Sequence, residues 1–277
     1  MARRNAGSLE VLTGPGGRMS LSQHLRELRY RLLVSAAALA VGVVVAYVLW
    51  EPIFAFLREP YCGTSRGHKS CNLYSLGIFD QFQVRMRVSF IGGAVLSSPV
   101  WIFHVGRFIT PGMHRKERRY AVWFMVAGLV LFAAGVTMAY LTVSRGLELF
   151  LSVGGGHVVP LVTVQGYLSF ITVLLLGFGL AFEFPLVVMF LNLTGVLSAD
   201  RMRSSRRTVI FGLFVVAAIL VPTTDPFTFL AMAVPLAALY EVCIVIARVR
   251  AKRQREVDAR EELLAAESGL ADLSAGL

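Results

Sequence analysis

Residues 120–144 read YAVWFMVAGLVLFAAGVTMAYLTVS and contain no charged side chain. A helix needs about 20 apolar residues to cross the roughly 30 Å hydrocarbon core of a bilayer, so this run is long enough to span it. Residues 32–50 form a second uncharged run, and residues 88–106 form a third in which His104 is the one titratable side chain. The sequence therefore predicts helices that cross a membrane.

Three further apolar runs lie in the C-terminal half of the chain. Residues 209–221 are uncharged, whereas residues 167–191 contain Glu183 and residues 227–247 contain Glu241. Residues 209–221 extend over only about 20 Å as a helix, so we expect short fifth and sixth helices joined in a hairpin. Sustained period-two alternation is absent from the runs, which disfavours strands. The predicted fold is an all-α, polytopic membrane protein with six transmembrane helices.

The overall composition agrees with a membrane protein. Hydrophobic residues make up 56% of the chain and charged residues 16%, which leaves too few polar side chains to cover a water-soluble domain. The 27 Lys and Arg exceed the 17 Asp and Glu, giving a net charge of +10. Because the cations stand in short blocks beside the apolar runs, they favour contact with membrane lipid over nucleic acid.

The positions of the cations also predict topology and domain organisation. Most Lys and Arg fall in four blocks that six crossings would put on one side of the membrane, and the positive-inside rule makes that side, with both termini, cytoplasmic. We expect a mobile cytoplasmic tail at residues 1–20, a membrane domain at 21–248 and a charged, partly disordered cytoplasmic tail at 249–277. The four blocks are residues 1–31, 107–119, 201–207 and 248–260.

Motifs of catalysis and metal binding are missing from the sequence. It contains no Walker loop and no H-E-x-x-H, and its five histidines lack metal-ligand spacing. We therefore predict neither an enzyme nor a metal or cofactor site. Cys62 and Cys71 share the first external loop, where they form either a disulfide, as an oxidising compartment permits, or two unpaired thiols.

Glu27 is the first of three acids whose positions in the sequence bear on function. It stands within HLRELRYRL at residues 24–32, where Leu25, Leu28 and Leu32 mark one apolar helix face and Glu27 projects from the opposite one. By itself, Glu27 is best interpreted as the i,i+4 partner of Arg31.

Glu117 is the one acid in the basic block RKERR at residues 115–119. The block is either a solvated charge run or part of a binding site. Two carboxylates, Glu27 and Glu117, would grip guanidinium groups bidentately, and a site of that design prefers Arg to Lys.

Glu183 lies in the middle of an apolar run, within FEFP at residues 182–185. Acids inside a membrane are costly and indicate a functional site unless a neighbouring helix satisfies them. One function that this position allows is titration in a proton-coupled small-molecule transporter. A membrane scaffold without cargo is another alternative.

Nine short segments stand in an order that resembles the TatC family, the membrane receptor of the twin-arginine protein translocase. The resemblance covers about residues 19–248 and departs from the family at residues 104–108 and 143–146, where the family often has Gln-Trp before Phe and a Pro. The segments are HLRELRYRL (24–32), Ser98-Pro99, FITPG (108–112), KER (116–118), Ala139-Tyr140, YLSF (167–170), FEFP (182–185), TTDP (223–226) and LYE (239–241).

The resemblance implies a specific function. The chain would sit in the plasma membrane of a prokaryote, bind twin-arginine signal peptides of folded cargo, self-associate, and assemble with single-span TatA/TatB-type subunits for export driven by the proton-motive force. The implied signal-peptide site comprises Glu27, Arg29, Phe108, Glu117 and Arg118. The implied partner-docking site comprises Glu183, Pro185, Tyr140 and Asp225.

Overall fold

The structure, a computed structural model, describes residues 21–64, 71–109, 118–152, 161–221 and 226–275. That part of the chain is helical, with one isolated β-bridge between Tyr74 and Thr163 and no longer strand. Its helices are α1 (Leu21–Val48), α2 (Trp50–Cys62), α3 (Asp80–Leu96), α4 (Ser98–Ile109), α5 (Arg118–Ser152), α6 (Val164–Ala181), α7 (Phe184–Leu193), α8 (Ala199–Ser204), α9 (Arg206–Leu220) and α10 (Pro226–Ala275).

Several helices are long and apolar enough to cross the hydrocarbon core. Among the described residues these are α1, α5, the joined α6–α7 and α10, and the bent pair α3–α4 makes a fifth if it counts as one span. The helix α9 is the short segment predicted from the sequence and reaches only about 22 Å. The predicted class, an all-α polytopic membrane protein, is confirmed.

Two of the spans are broken where the sequence predicted uninterrupted runs. The helices α3 and α4 meet at an angle of 53°, because Pro99 lacks the N–H that continues the helical ladder. The Trp101 indole N–H donates to the Ala94 carbonyl at this break, over 3.1 Å. A second break separates α6 from α7 immediately before Pro185.

The first and last helices extend beyond the apolar runs that predicted them. The amphipathic segment around Glu27 continues directly into the first span, so α1 is one helix. The helix α10 is longer than the expected short sixth helix and continues from the membrane through the basic block to Ala275. Strong helix formers fill residues 247–267 without Gly or Pro, and the Gln254 amide donates to Asp258 over 2.8 Å. The predicted tail at 1–20 lies outside the described residues.

The helix α6 occupies the centre of the bundle. Its side chains Leu168, Ile171 and Phe178 are buried, and the helix packs mainly along α5 and α3. The helix α1 lies at the edge and packs mainly along α3 and α4. Its outer face is therefore open to lipid or to another protein.

A close backbone contact joins α1 to α3. A Cβ atom on Gly93 would lie 2.6 Å from the backbone nitrogen of Val43, and one on Gly42 would lie 2.7 Å from the Gly93 carbonyl oxygen. These distances leave no space for a side chain, so the two helices cross in contact through their glycines.

We therefore expect Gly93→Ala to destabilise the protein by about 1–3 kcal/mol or more, although Ala favours helix. Thermal unfolding of the purified protein in detergent measures the effect. The matched control is Gly212→Ala in α9, where an added Cβ meets nothing within 4 Å and where stability should hold or rise. Equal behaviour of the two variants would contradict the close crossing.

Candidate functional site

The first turns of α1 bring Glu27 and Arg31 together. Glu27 Oε1 accepts hydrogen bonds from Arg31 Nε, over 3.1 Å, and from Arg31 Nη2. The side chains are 25% and 12% exposed, respectively, whereas Leu25 and Leu32 on the other face are more than 60% exposed. The i,i+4 pair is thus confirmed, and it lies on the more covered face of α1.

The neighbouring helix α4 adds positive charge near this pair. The Arg107 guanidinium stands 5.9 Å from the Phe103 ring centroid, and the His104 ring meets Phe103 edge-on. His104 is within electrostatic range of both Arg31 and Arg107. Its Nδ1 atom is buried and has no hydrogen-bond partner among the described residues. Among the described residues at this surface, Glu27 therefore supplies the negative charge, and Arg31 and Arg107 supply positive charge.

The other predicted signal-peptide residues are only partly described. Arg29 is exposed on α1. Phe108 lies in the last turn of α4 and Arg118 begins α5, but their side chains lie outside the described part. Glu117 falls wholly outside it, so the predicted pairing of Glu27 with Glu117 stays a prediction.

Glu183 occupies the break between α6 and α7, inside the membrane span. Its Oε2 atom would lie 3.3 Å from a Cβ on Gly128 of α5, so the missing side chain of Gly128 makes room for the carboxylate. The other groups at this point are the apolar side chains of Ile102 and Leu186. Glu183 Oε1 is buried and lacks a hydrogen-bond partner within the described part. The carboxylate thus has a hydrogen-bonding capacity that the described part of the chain does not use.

The remaining predicted docking residues do not gather around Glu183. Pro185 is buried, and its carbonyl accepts a contact from the Cys243 thiol at 3.5 Å, so it faces α10. Tyr140 stacks on Phe56, with ring centroids 4.4 Å apart, and its hydroxyl donates to the Phe56 carbonyl over 3.0 Å. The structure therefore uses Tyr140 to hold α2 against α5. Asp225 lies outside the described residues.

Glu241, the other acid in an apolar run, has a cationic partner within the chain. It forms an ion pair with Arg206 at the start of α9. The adjacent Tyr240 hydroxyl donates to the Met202 carbonyl over 3.0 Å and fixes α8 on α10. Glu241 is a structural residue, as its place near the end of the span indicated.

A cap formed by α2 and the following loop covers the opposite end of the bundle. Asp80 accepts from the backbone N–H groups of Leu76 and Gly77 and from the Gln165 amide. The Tyr167 hydroxyl donates to the Leu57 carbonyl, and burial raises the pKa of Tyr61 above its usual value. The sequence did not predict α2 because two prolines interrupt a segment without a clear apolar run.

Cys62 and Cys71 join the end of α2 to this loop by a disulfide, with Cα atoms 5.0 Å apart. The loop then pairs with the start of α6, since the Val164 N–H donates to the Tyr74 carbonyl over 2.9 Å. No group of three metal-ligating side chains occurs among the described residues.

The disulfide predicts how many free thiols the protein has before and after reduction. The chain has three cysteines, so the denatured, unreduced protein should take up one maleimide, at Cys243, and reduction should add two. Cys62→Ser should take up two without reduction, because Cys71 loses its partner. Intact-mass measurement counts the adducts, and three maleimides on the unreduced protein would contradict the bond.

Known proteins with similar sequences and structures share a single description. A family model described as Sec-independent protein translocase protein (TatC) matches residues 23–235. The TatC protein of Frankia casuarinae is 44% identical over 245 residues, 85% of this chain and 67% of that protein. The TatC protein of Corynebacterium kroppenstedtii is 34% identical over 273 residues, 89% of this chain and 65% of that protein. The chain thus spans about two thirds of each relative's length.

Solved structures agree with the sequence comparison. The crystal structure of the twin arginine translocase receptor TatC in DDM superposes with a TM-score of 0.70 and 32% identity, covering 81% of this chain and 99% of that chain. The names of these proteins describe a protein translocase and not an enzyme.

Proposed function

Because this chain belongs to the TatC family of Sec-independent protein translocase proteins, we propose that it is the signal-peptide receptor of a twin-arginine translocase. The observation that supports this most directly is the Glu27–Arg31 pair. A half-buried carboxylate on a basic surface already holds a guanidinium by two hydrogen bonds. Arg presents such a fork and Lys does not, so the same carboxylate suits the arginines of a signal peptide.

In this proposal the paired arginines meet two carboxylates. Glu27 receives one arginine and Glu117 the other, while Phe108 packs against the peptide. Arg29 and Arg118 keep the surrounding surface basic, which leaves the two carboxylates as the positions that attract a cation. The site is formed at the adjacent ends of α1, α4 and α5.

We propose that single-span TatA/TatB-type subunits dock at Glu183. A partner helix that carries a polar side chain would supply the hydrogen bond that Oε1 lacks within the described part. The short helix α9 offers a second contact, because Phe211, Val215 and Ile219 lie exposed along one of its faces. Gly212 on the same helix has open space beside it, which permits a close approach.

The proposal includes an orientation and an energy source. Glu27 and the basic blocks would face the cytoplasm of a prokaryotic cell, and the disulfide-bonded cap would face the oxidising side of its plasma membrane. Export would draw on the proton-motive force, and copies of this chain would associate in the receptor complex.

Photocross-linking tests the receptor function. A purified twin-arginine signal peptide and its Lys-Lys counterpart are added to membranes that contain this chain with a photoprobe at Phe108. We expect adducts with the Arg-Arg peptide only. Equal labelling by both peptides, or none in membranes that contain the folded chain, would overturn the proposal.

Because Glu27 already binds the Arg31 guanidinium, an arginine of the signal peptide has to displace Arg31 before it can bind Glu27. Arg31→Gln should therefore tighten binding of the twin-arginine peptide by about 3–10-fold, because an internal competitor is removed and Glu27 is left to the peptide. Titration of a labelled peptide onto purified protein measures the affinity. Arg26→Gln is the control, because Arg26 is exposed on the same helix and lies outside the proposed site, so its replacement should leave the affinity unchanged. Weaker binding by Arg31→Gln would contradict the displacement of Arg31.

A further inference from the structure

A groove between α1, α3 and α6 opens toward the membrane near the capped end of the bundle. Its volume is about 540 Å³, which is within the range of small-ligand sites. The lining includes Gln83 and Arg87 from α3, Ser169 and Thr172 from α6, and the apolar side chains Val43, Phe82, Met86, Phe90 and Val173. The function proposed above uses none of these residues.

Arg87 is the charged group of the groove. It is half-buried, and its Nη1 atom donates to the Gln165 carbonyl over 3.2 Å. No ion pair involves Arg87 within the part of the chain that the structure describes. Asp80, the nearest acid along α3, is about 10 Å away along the helix axis, and backbone N–H groups already hold its carboxylate. Arg87 therefore retains donors and a charge for an external anion.

Aromatic residues mark the depth of Arg87 in the bilayer. The guanidinium of Arg85 lies 4.1 Å from the Tyr47 ring centroid and 5.4 Å from that of Trp50. Tyr and Trp concentrate at the level of the lipid headgroups. Arg87 is two residues further along α3, about 3 Å deeper, which is the level of lipid phosphates and glycerol.

The charged and amide side chains of the groove are confined to its cap end. Gln83, Arg87 and Ser169 lie there beside the apolar Phe82 and Met86, whereas Phe90 and Val173 lie further along α3 and α6. Phe90 and Val173 are both more than 40% exposed. A phospholipid has the same order, with an anionic phosphate above apolar chains.

We propose that this groove binds an anionic phospholipid of the leaflet next to the cap. Arg87 binds the phosphodiester, the Gln83 amide and the Ser169 hydroxyl donate to its oxygens, and one acyl chain follows Phe90 and Val173. A net negative headgroup such as phosphatidylglycerol is preferred to phosphatidylcholine, because choline carries a cation that opposes Arg87.

Photoactivatable lipids test the proposal on the full chain in phosphatidylcholine nanodiscs. Trace phosphatidylglycerol or phosphatidylcholine with a diazirine in the acyl chain is activated, and adducts are located by mass spectrometry. We expect the phosphatidylglycerol probe to label Phe90 and Val173 about fivefold more than the phosphatidylcholine probe. Equal labelling by the two probes would overturn the proposal.

Three variants distinguish lipid binding in this groove from a general effect of surface charge on lipid labelling. Arg87→Gln should abolish the preference for phosphatidylglycerol, whereas Arg85→Gln, which removes a cation on the same helix that stacks on aromatic rings, should keep it. Ser169→Leu, at an exposed position, should reduce labelling and serves if Arg87→Gln fails to fold. Retention of the preference in Arg87→Gln, or undiminished labelling of Ser169→Leu where that variant replaces it, would overturn the proposal.

A photoprobe at Val173 in native membranes tests whether a partner protein occupies the groove in place of a lipid. Capture of lipid at this position supports the site. Capture of a protein would assign the groove to a partner helix and overturn the lipid proposal.

Discussion

Replacing Glu27 with Gln is expected to weaken capture of a twin-arginine signal peptide by about 10–100-fold. A charge-assisted hydrogen bond contributes about 1.5–3 kcal/mol, and each 1.4 kcal/mol is a factor of ten in affinity. The Lys-Lys peptide binds the carboxylate through a single ammonium, so its already weak binding should change less. The variant thus loses selectivity as well as affinity.

The stability of the variant must be separated from its binding. Glu27→Gln leaves Arg31, only 12% exposed, without its carboxylate, and an unpaired buried charge destabilises the fold. The double variant Glu27→Gln/Arg31→Gln removes both charges and should recover the thermal stability of the unmodified protein without recovering peptide binding.

Asp200→Asn provides the control for loss of an acid. Asp200 is 85% exposed and pairs loosely with Arg255, at 3.5 Å, so its replacement should leave peptide affinity unchanged. Fluorescence titration of the purified variants measures all the affinities. Binding by Glu27→Gln within a factor of two of the unmodified protein would remove Glu27 from the proposed site.

Glu117→Ala should likewise abolish capture while membrane insertion stays intact, because the second arginine loses its carboxylate. The same titration, with carbonate extraction to establish insertion, measures this. Normal export of a twin-arginine reporter by that variant would contradict the receptor assignment.

The apolar runs were enough to predict where the chain crosses the membrane. An uncharged run of 19 residues or more has one stable state in lipid, a helix, so the run at 32–50 predicted the membrane-spanning part of α1 to within two residues of its end at Val48, and the run at 120–144 falls within α5. The bend at Ser97 and the helix α2 were not predicted from the sequence. Their geometry depends on Pro99 and on contacts such as Tyr140 with Phe56, which join residues distant in sequence.

The candidate site was predictable where it depends on local spacing. Glu27 and Arg31 are four residues apart on one helix, and this spacing alone brings them together. Tyr140 and Pro185 were grouped with Glu183 by the family resemblance, but the contacts of each residue depend on the packing of α2 and α10. The apolar run around Glu183 therefore identified the unusual carboxylate and not its neighbours.

Replacing Glu183 with Gln or Leu is expected to weaken association with the single-span partner subunits by about 3–30-fold. Polar contacts between helices inside a membrane contribute about 0.6–2 kcal/mol. Removing a buried carboxylate that has no partner oxygen or nitrogen among the described residues should also stabilise the isolated chain. Glu183→Leu should therefore unfold at a higher temperature while it loses its partners.

Glu241→Gln is the matched control, because Glu241 is also an acid in an apolar run but is paired with Arg206. Its replacement should lower thermal stability slightly, since one ion pair is lost, and should leave partner association intact. Co-purification of tagged partner subunits and thermal unfolding in detergent give the two readouts. The two variants should change thermal stability in opposite directions, Glu183→Leu raising it and Glu241→Gln lowering it. If Glu183 were a structural residue, its replacement would lower thermal stability and leave partner association unchanged.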